Sequence, residues 1–152
     1  MGIRTQLGDD LKAAMRSRSM DRVSVIRLLL SVIKNKEIEK GKGTALTENE
    51  VLSVIVTAVK QRRESIEQYA QAGRSELAEK ESQELEVLLS YLPKPLSEDE
   101  LRARVNEAIT EAGISEMKQM GIVMKTLVPA LRGRAEGTAI RKMLQSCLQG
   151  KG

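Results

Sequence analysis

Two prolines near the middle of the chain constrain its fold more than any other feature of the sequence. Pro93 and Pro95 stand in the segment Tyr-Leu-Pro-Lys-Pro-Leu-Ser. Each proline lacks a backbone donor and disfavours helical geometry in the preceding residue, so the chain is expected to run extended here. A kinked turn inside a single domain stays open as the alternative, because the segment is short. We predict an N-terminal domain over residues 1–92, a proline-containing linker over 93–96 and a second domain over 97–152.

Apolar residues before the prolines recur at helical spacing. Thr47 and Glu50 form a T-x-x-E capping box, and we expect Ser19 and Ser75 to cap two further helices. Gly41 is placed to end a helix in a left-handed conformation. The spacing predicts four helices, over residues 3–16, 20–40, 48–72 and 76–92.

Three more helices are predicted after the prolines. Ser97 and Glu100 form a second capping box, and the helix that they begin runs to Gly113. Ser115 is expected to cap a short turn, and an apolar helical stripe follows over residues 117–131, with an interruption at Gly121 left open. The closing Gly-Lys-Gly is expected to fray. The last helix presents one apolar face, formed by Ile140, Met143, Leu144, Cys147 and Leu148.

The composition favours packed helices. The chain contains no Phe or Trp and only two Tyr, so its core must be built from Leu, Ile, Val, Met and Ala. Sheets favour β-branched and aromatic residues instead, and no strand pattern is present. We predict an all-α protein, with an N-terminal four-helix antiparallel bundle followed by a small three-helix C-terminal domain.

Several residue patterns that support catalysis are absent from the sequence. It has no histidine, the residue most used for acid–base catalysis and zinc binding. It has no G-x-x-x-x-G-K-[ST] loop for ATP, and its single cysteine leaves no cysteine pair for a metal. We therefore expect no catalytic residue, no metal and no cofactor.

The location is predicted from what the chain lacks. No apolar run approaches the roughly 20 residues that cross a bilayer, and the N-terminus lacks the apolar segment of a signal peptide. The lone Cys147 cannot form an internal disulfide, and its spacing places it in the core. We expect a cytoplasmic protein with no membrane partner.

The charge of the chain is concentrated near its C-terminus. Residues 117–152 hold seven basic and one acidic side chain, whereas residues 1–92 hold fifteen and fourteen. An excess of this kind attracts phosphates, although it is also compatible with an ordinary solvated surface. Lys118, Lys125 and Arg132 are spaced by seven residues. On one continuous helix they would lie along one edge of the apolar stripe, roughly 10 Å apart. The predicted nucleic-acid-binding residues are Lys118, Lys125, Arg132, Gly133, Arg134, Arg141 and Lys142.

Arg132-Gly-Arg134 is the sharpest candidate in this set. Two guanidinium groups flank a glycine at a helix junction, where the following helix offers free N–H groups. No aromatic residue is present in this segment for stacking on bases, so contact with the backbone of a structured RNA is favoured. A second possible basic patch consists of Lys60, Arg62 and Arg63, although Arg62 lies on an inner stripe and is expected to pair with a carboxylate or reach water.

Several segments together resemble the YqeY family of small bacterial proteins. The chain from Met120 also resembles the tail domain that this family shares with the GatB subunit of the tRNA-dependent amidotransferase. In that segment the matching positions are Met120 to Lys125, Gly133 to Ala135, and Ile140 to Leu144. The N-terminal match consists of the runs Lys60–Tyr69, Ala72–Arg74, Glu79–Glu81, Glu84–Glu86 and Leu89–Pro93.

The resemblance implies an all-helical protein in two parts, whose tail domain helps to bind tRNA. In the amidotransferase, glutamine hydrolysis and amide transfer belong to other domains and subunits. The positions carried over to this chain are Lys125, Gly133, Arg134 and Ala135.

Three classes of function remain open. The first is a translation-related accessory protein that binds tRNA through its basic C-terminal domain. The second, implied by the resemblance, is a carbon–nitrogen ligase with glutamine as amido-N-donor, or a component of one, with amidotransferase subunits as partners. The third is a non-catalytic adaptor between proteins, because long amphipathic helices also form interfaces.

Overall fold

The chain folds as an all-α protein, as predicted. The structure is a computed structural model that describes residues 2–41 and 43–150. Within these ranges there are seven α-helices, one short 3-10 helix and no strand. No helix in the described ranges is long and apolar enough to cross a membrane. The α-helices are α1 Ile3–Ser17, α2 Met20–Lys40, α3 Glu48–Gln71, α4 Ser75–Leu89, α5 Glu98–Ala112, α6 Met120–Ala130 and α7 Gly137–Gly150, and the 3-10 helix is Met117–Gln119.

The contacts within the chain divide it into two compact units. The N-terminal unit is Met1–Leu92 and the C-terminal unit is Pro93–Gly152. Each unit has a hydrophobic core of its own. The unit boundary falls between Leu92 and Pro93, where the proline cannot continue a helix.

The core of the N-terminal unit is aliphatic. Helix α3 packs along α4, and α1 packs along α2. On the outer side of α2, Leu28 is 51% exposed, so this helix is buried on one face only. The most deeply buried side chains are Leu7, Ile26, Ile33, Ile55 and Leu88.

The core of the C-terminal unit forms around α7, which contacts both α5 and α6. Its helical period turns one side of α7 inward, because residues three and four apart share a face. Cys147 is buried there, as its spacing predicts. The most deeply buried residues are Val105, Ile109, Leu131, Ile140 and Leu144.

Both predicted capping boxes are confirmed. The Thr47 hydroxyl accepts from the Glu50 amide, and the Glu50 carboxylate accepts from the Thr47 amide. Ser97 and Glu100 make the same reciprocal pair at α5. Gly113 ends α5 in the left-handed conformation. These local signals define both helix starts without help from the rest of the fold.

Four predicted caps differ in detail from the structure. Ser75 is the first residue of α4 rather than its cap, and Ser19 precedes α2 without a capping hydrogen bond from its side chain. Glu116 takes the position predicted for Ser115, because Gln119 lies three residues later and accepts from the amides of both. Gly41 does have a positive φ of +127°, but its ψ of 151° lies outside the left-handed region.

The short turn predicted at Ser115 corresponds to a 3-10 helix, and Gly121 does not interrupt the helical stripe, because it lies inside α6. A 3-10 helix precedes α6, and α6 ends at Ala130 with Pro129 in its last turn. Helix α4 likewise ends at Leu89, three residues before the predicted end. The expected fraying of the final Gly-Lys-Gly lies largely outside the described residues.

Candidate nucleic-acid interface

The helices of the C-terminal unit turn several cations toward solvent. Helix α6 buries Val123 and Leu127. Helix α7 buries Ile140 and Leu144 among others. The remaining sides of these helices are therefore left for polar contact. In the described residues from Met117 onward, the exposed cations are Lys118, Lys125, Arg141 and Lys142, whereas α5 exposes Arg102 and Arg104 among several acids.

Lys118 has a nearby acid. Its Nζ lies 3.2 Å from a carboxylate oxygen of Glu116, and the side chains are 82% and 59% exposed. An ion pair between side chains this exposed contributes little to stability, because water screens it. Lys118 can therefore exchange this partner for a phosphate at small cost.

The Arg132-Gly-Arg134 segment is a tight turn between α6 and α7. The amides of Arg134 and Ala135 both donate to the Leu131 carbonyl, at 2.9 and 3.1 Å. Gly133 has a φ of +84°, which a residue with a side chain rarely adopts. The turn thus depends on a glycine at this position.

Arg134 fastens this turn to the proline segment of the same unit. Its Nε donates to the Lys94 carbonyl at 3.0 Å, and its own carbonyl accepts from the Leu96 amide at 2.9 Å. One N–H of the guanidinium is therefore used in holding the fold, which leaves the other four as donors. Sequence reasoning missed both partners, because contacts across some 40 residues leave no local pattern.

One acidic group, Glu100, also lies near Arg134. The pKa of Glu100 is lowered, first by the Ser97 amide and hydroxyl and further by the charges of Arg134 and Lys94. Arg132 and Glu136 each interact with another group of the protein. The Glu100 carboxylate offsets part of the positive charge of Arg134, and the nucleic-acid contact expected of Arg132, Gly133 and Arg134 stays a prediction.

The predicted edge of Lys118, Lys125 and Arg132 does not exist as one helical row. Lys118 belongs to the 3-10 helix, Lys125 to α6, and Arg132 lies beyond the end of α6. Spacing by seven places residues on one edge only along an unbroken α-helix. These cations therefore belong to three separate elements and do not form one continuous row.

Arg62, part of the second predicted patch, is paired inside the N-terminal unit. Its guanidinium contacts Glu84 and lies 2.8 Å from a carboxylate oxygen of Glu81, and its side chain is 17% exposed. The expected pairing with a carboxylate is thus confirmed, with partners on α4. Lys60 is exposed, whereas Arg63 has an interaction partner of its own. The three cations therefore do not act as one free basic patch.

An open groove of about 520 Å³ lies at the C-terminal end of α2. Arg4 lines the groove and is paired with Glu37. The carboxylate of Glu37 therefore offsets the positive charge that Arg4 brings to the groove. No group of three or more acids or cysteines able to hold a metal occurs in the part of the chain that the structure describes. The other lining residues are Lys34, Ile38, Gly41, Gly43, Thr44 and Ala45.

Comparison with known proteins identifies the family. The model of a family described as "Yqey-like protein" matches residues 4–148. The chain belongs to the YqeY family. The match covers both units of this YqeY-family protein, so the resemblance of its sequence to the YqeY family is confirmed.

Curated relatives of the YqeY-family chain come from fungi. The protein of Lachancea thermotolerans is 40% identical over 107 residues, which cover 69% of this chain and 57% of the relative. The Kluyveromyces lactis protein is 37% identical and covers 92% and 78%, and that of Pyrenophora tritici-repentis is 31% identical and covers 96% and 81%. The chain thus spans little more than half the length of the first of these relatives.

The names of these relatives bear on location. All three are called "Altered inheritance of mitochondria protein 41, mitochondrial". The cytoplasmic location predicted from the sequence is therefore wrong as a conclusion, because similar proteins are named as mitochondrial. The prediction rested on missing sequence features, and such absences do not identify a compartment.

Proposed function

We propose that this YqeY-family protein is a tRNA-associated accessory protein that binds tRNA through the cations of its C-terminal unit. The proposal rests on four exposed cations, Lys118, Lys125, Arg141 and Lys142. In the described residues 117–150, Glu136 is the single acid. Such a surface attracts a polyphosphate backbone, whatever its base sequence. The absence of aromatic residues from this segment favours a folded RNA over unpaired bases.

The proposal includes an architecture and a relationship. The four helices of the N-terminal unit would form an antiparallel bundle, and α5 to α7 a three-helix domain of the GatB tail type. The packing of α3 along α4, and of α7 against α5 and α6, supports this arrangement. Amidotransferase subunits are then candidate partners, and amide transfer itself belongs to them.

Equilibrium binding of tRNA at low salt tests the proposed surface. Lys125→Ala, Arg141→Ala and Lys142→Ala are each expected to weaken binding by about twofold to tenfold, because each removes one phosphate contact. Lys60→Ala removes an exposed cation from α3 and is the matched control, with unchanged affinity expected. Equal affinities for all five proteins would contradict the proposal.

A second assay addresses the ligase alternative. The purified chain is incubated with glutamine, ATP and misacylated tRNA, and amide formation is followed. We expect no turnover without added amidotransferase subunits. Turnover by this chain alone would show that it is an enzyme rather than an accessory protein.

A further inference from the structure

Gly121 is a helical glycine that the C-terminal unit does not require. It lies in the first turn of α6 and is exposed. A Cβ atom built on it would meet no atom within 4 Å, and its φ is not among the positive values. Glycine in a helix is less stable than alanine, because its unfolded chain has more conformations to lose. Neither packing nor backbone conformation in this unit explains the glycine.

The residues beside Gly121 form an uncommon surface. Ile122 is 58% exposed although it is a large aliphatic residue, and Lys125 follows one turn later. Helix α6 contains no acidic residue. We define the outer face of α6 as Gly121, Ile122 and Lys125, which are neighbours at helical spacing. This face combines a bare main chain, an exposed aliphatic group and a cation.

We propose that the outer face of α6 docks against the sugar–phosphate backbone of an RNA helix, with the main chain at Gly121 as the point of closest approach. This inference rests on the proposed tRNA binding. Lys125 meets a phosphate, and Ile122 packs on ribose at the wide, shallow minor groove that A-form RNA presents. Glycine is used where a backbone must approach a ligand closely, and a methyl group here would hold the two surfaces apart.

The positive charge of the outer face of α6 favours an RNA helix over a second copy of the chain. A second copy of the chain, related by a two-fold axis through the face, would bring Lys125 toward Lys125 of the other copy without an acid on either α6. A polyanion has the complementary charge. A lipid surface with anionic headgroups shares that charge, so the experiment includes it as a competing outcome.

Gly121→Ala gives a test in which stability and binding move in opposite directions. The variant is expected to raise the thermal midpoint by about 1–4 °C, because alanine fits an open helical position. It is expected to weaken tRNA binding by about fivefold or more, which corresponds to roughly 1 kcal/mol. Gly8→Ala in α1 is the matched control, because a Cβ there also meets nothing within 4 Å. It is expected to raise the midpoint and leave tRNA affinity unchanged.

The outcomes separate this inference from the proposal beneath it. If Lys125→Ala weakens tRNA binding while Gly121→Ala binds as tightly as the wild type, the docking inference is overturned and the proposed function stands. If the wild type does not bind tRNA, both are overturned. Vesicles of phosphatidylserine and phosphatidylcholine are tested in parallel. Binding to them that Gly121→Ala weakens, without such an effect on tRNA, would overturn the RNA occupant in favour of lipid.

Discussion

Arg62 and Glu84 place opposite charges inside the N-terminal unit. Glu84 is the buried charged residue of the described chain, and Arg62 contacts it from α3 while also reaching Glu81. A buried charge is tolerated only when it is paired, because its transfer out of water is costly. The pair therefore links α3 to α4 and satisfies the buried charge of Glu84.

Removal of the Arg62 side chain should destabilise the protein. Arg62→Ala is expected to lower the free energy of unfolding by roughly 2–4 kcal/mol, because it leaves Glu84 buried and unpaired. Urea unfolding followed by circular dichroism measures the change. Lys60→Ala, two residues away and exposed, should change stability by less than about 0.5 kcal/mol. Equal effects of the two variants would show that the buried pair is unimportant for stability.

Gly133 and Gly137 differ in what a side chain would cost. Gly133 has a φ of +84°, a conformation that L-residues avoid. Gly133→Ala is therefore expected to lower the free energy of unfolding by about 1–2 kcal/mol. Gly137 lies in the first turn of α7, where a Cβ meets nothing within 4 Å, and Gly137→Ala should be neutral or slightly stabilising. Thermal unfolding of both variants checks this. A stable Gly133→Ala protein would mean that the α6–α7 turn relaxes freely.

At the scale of elements, ion pairs tie the connection between α2 and α3 to its surroundings. The Nζ of Lys40 lies 2.6 Å from a carboxylate oxygen of Glu50. This contact and the hydrogen bond from the Thr47 amide lower the pKa of Glu50 to about 2. Arg4 and the Leu46 amide lower the pKa of Glu37 in the same way. Both carboxylates thus favour the folded state when they are ionised.

Acid should therefore loosen this connection. A depressed carboxyl pKa contributes stability above the ordinary value of 4.5, and the contribution is lost as the pH falls toward 2. Between pH 5 and pH 2 the thermal midpoint of the wild type is expected to fall more than that of Glu50→Gln. Glu39→Gln, at an exposed position of α2, is the control and should follow the wild type. Parallel curves for the wild type and Glu50→Gln would refute the assignment.

Local signals predicted the helices well and their connections less well. Met20–Lys40 has the predicted bounds, and both capping boxes occur where their residue patterns predict them. The sequence predicts a short turn before α6 but not its 3-10 form, because an apolar stripe has nearly the same spacing in both helix types. Helix α4 ends at Leu89 because the chain turns before Pro93. The spacing of apolar residues carries no information about where that turn begins.

At the scale of the whole molecule, the candidate surface could be predicted only in part. The exposure of Lys125, Arg141 and Lys142 follows from helical period alone, since their neighbours supply the core. The individual partners of Arg62 and Arg134 could not be predicted, because they come from distant segments. Net charge shows where a polyanion is attracted, whereas tertiary contacts decide which cations are available to it.

The slope of log tRNA affinity against log salt concentration tests the central claim most directly. The wild type is compared with the triple variant Lys125→Ala/Arg141→Ala/Lys142→Ala, and circular dichroism verifies that the variant remains folded. Each phosphate contact contributes about 0.7–0.9 to the slope, so the triple variant should lose roughly 2–3. An unchanged slope in a folded triple variant would show that these C-terminal cations do not contact tRNA.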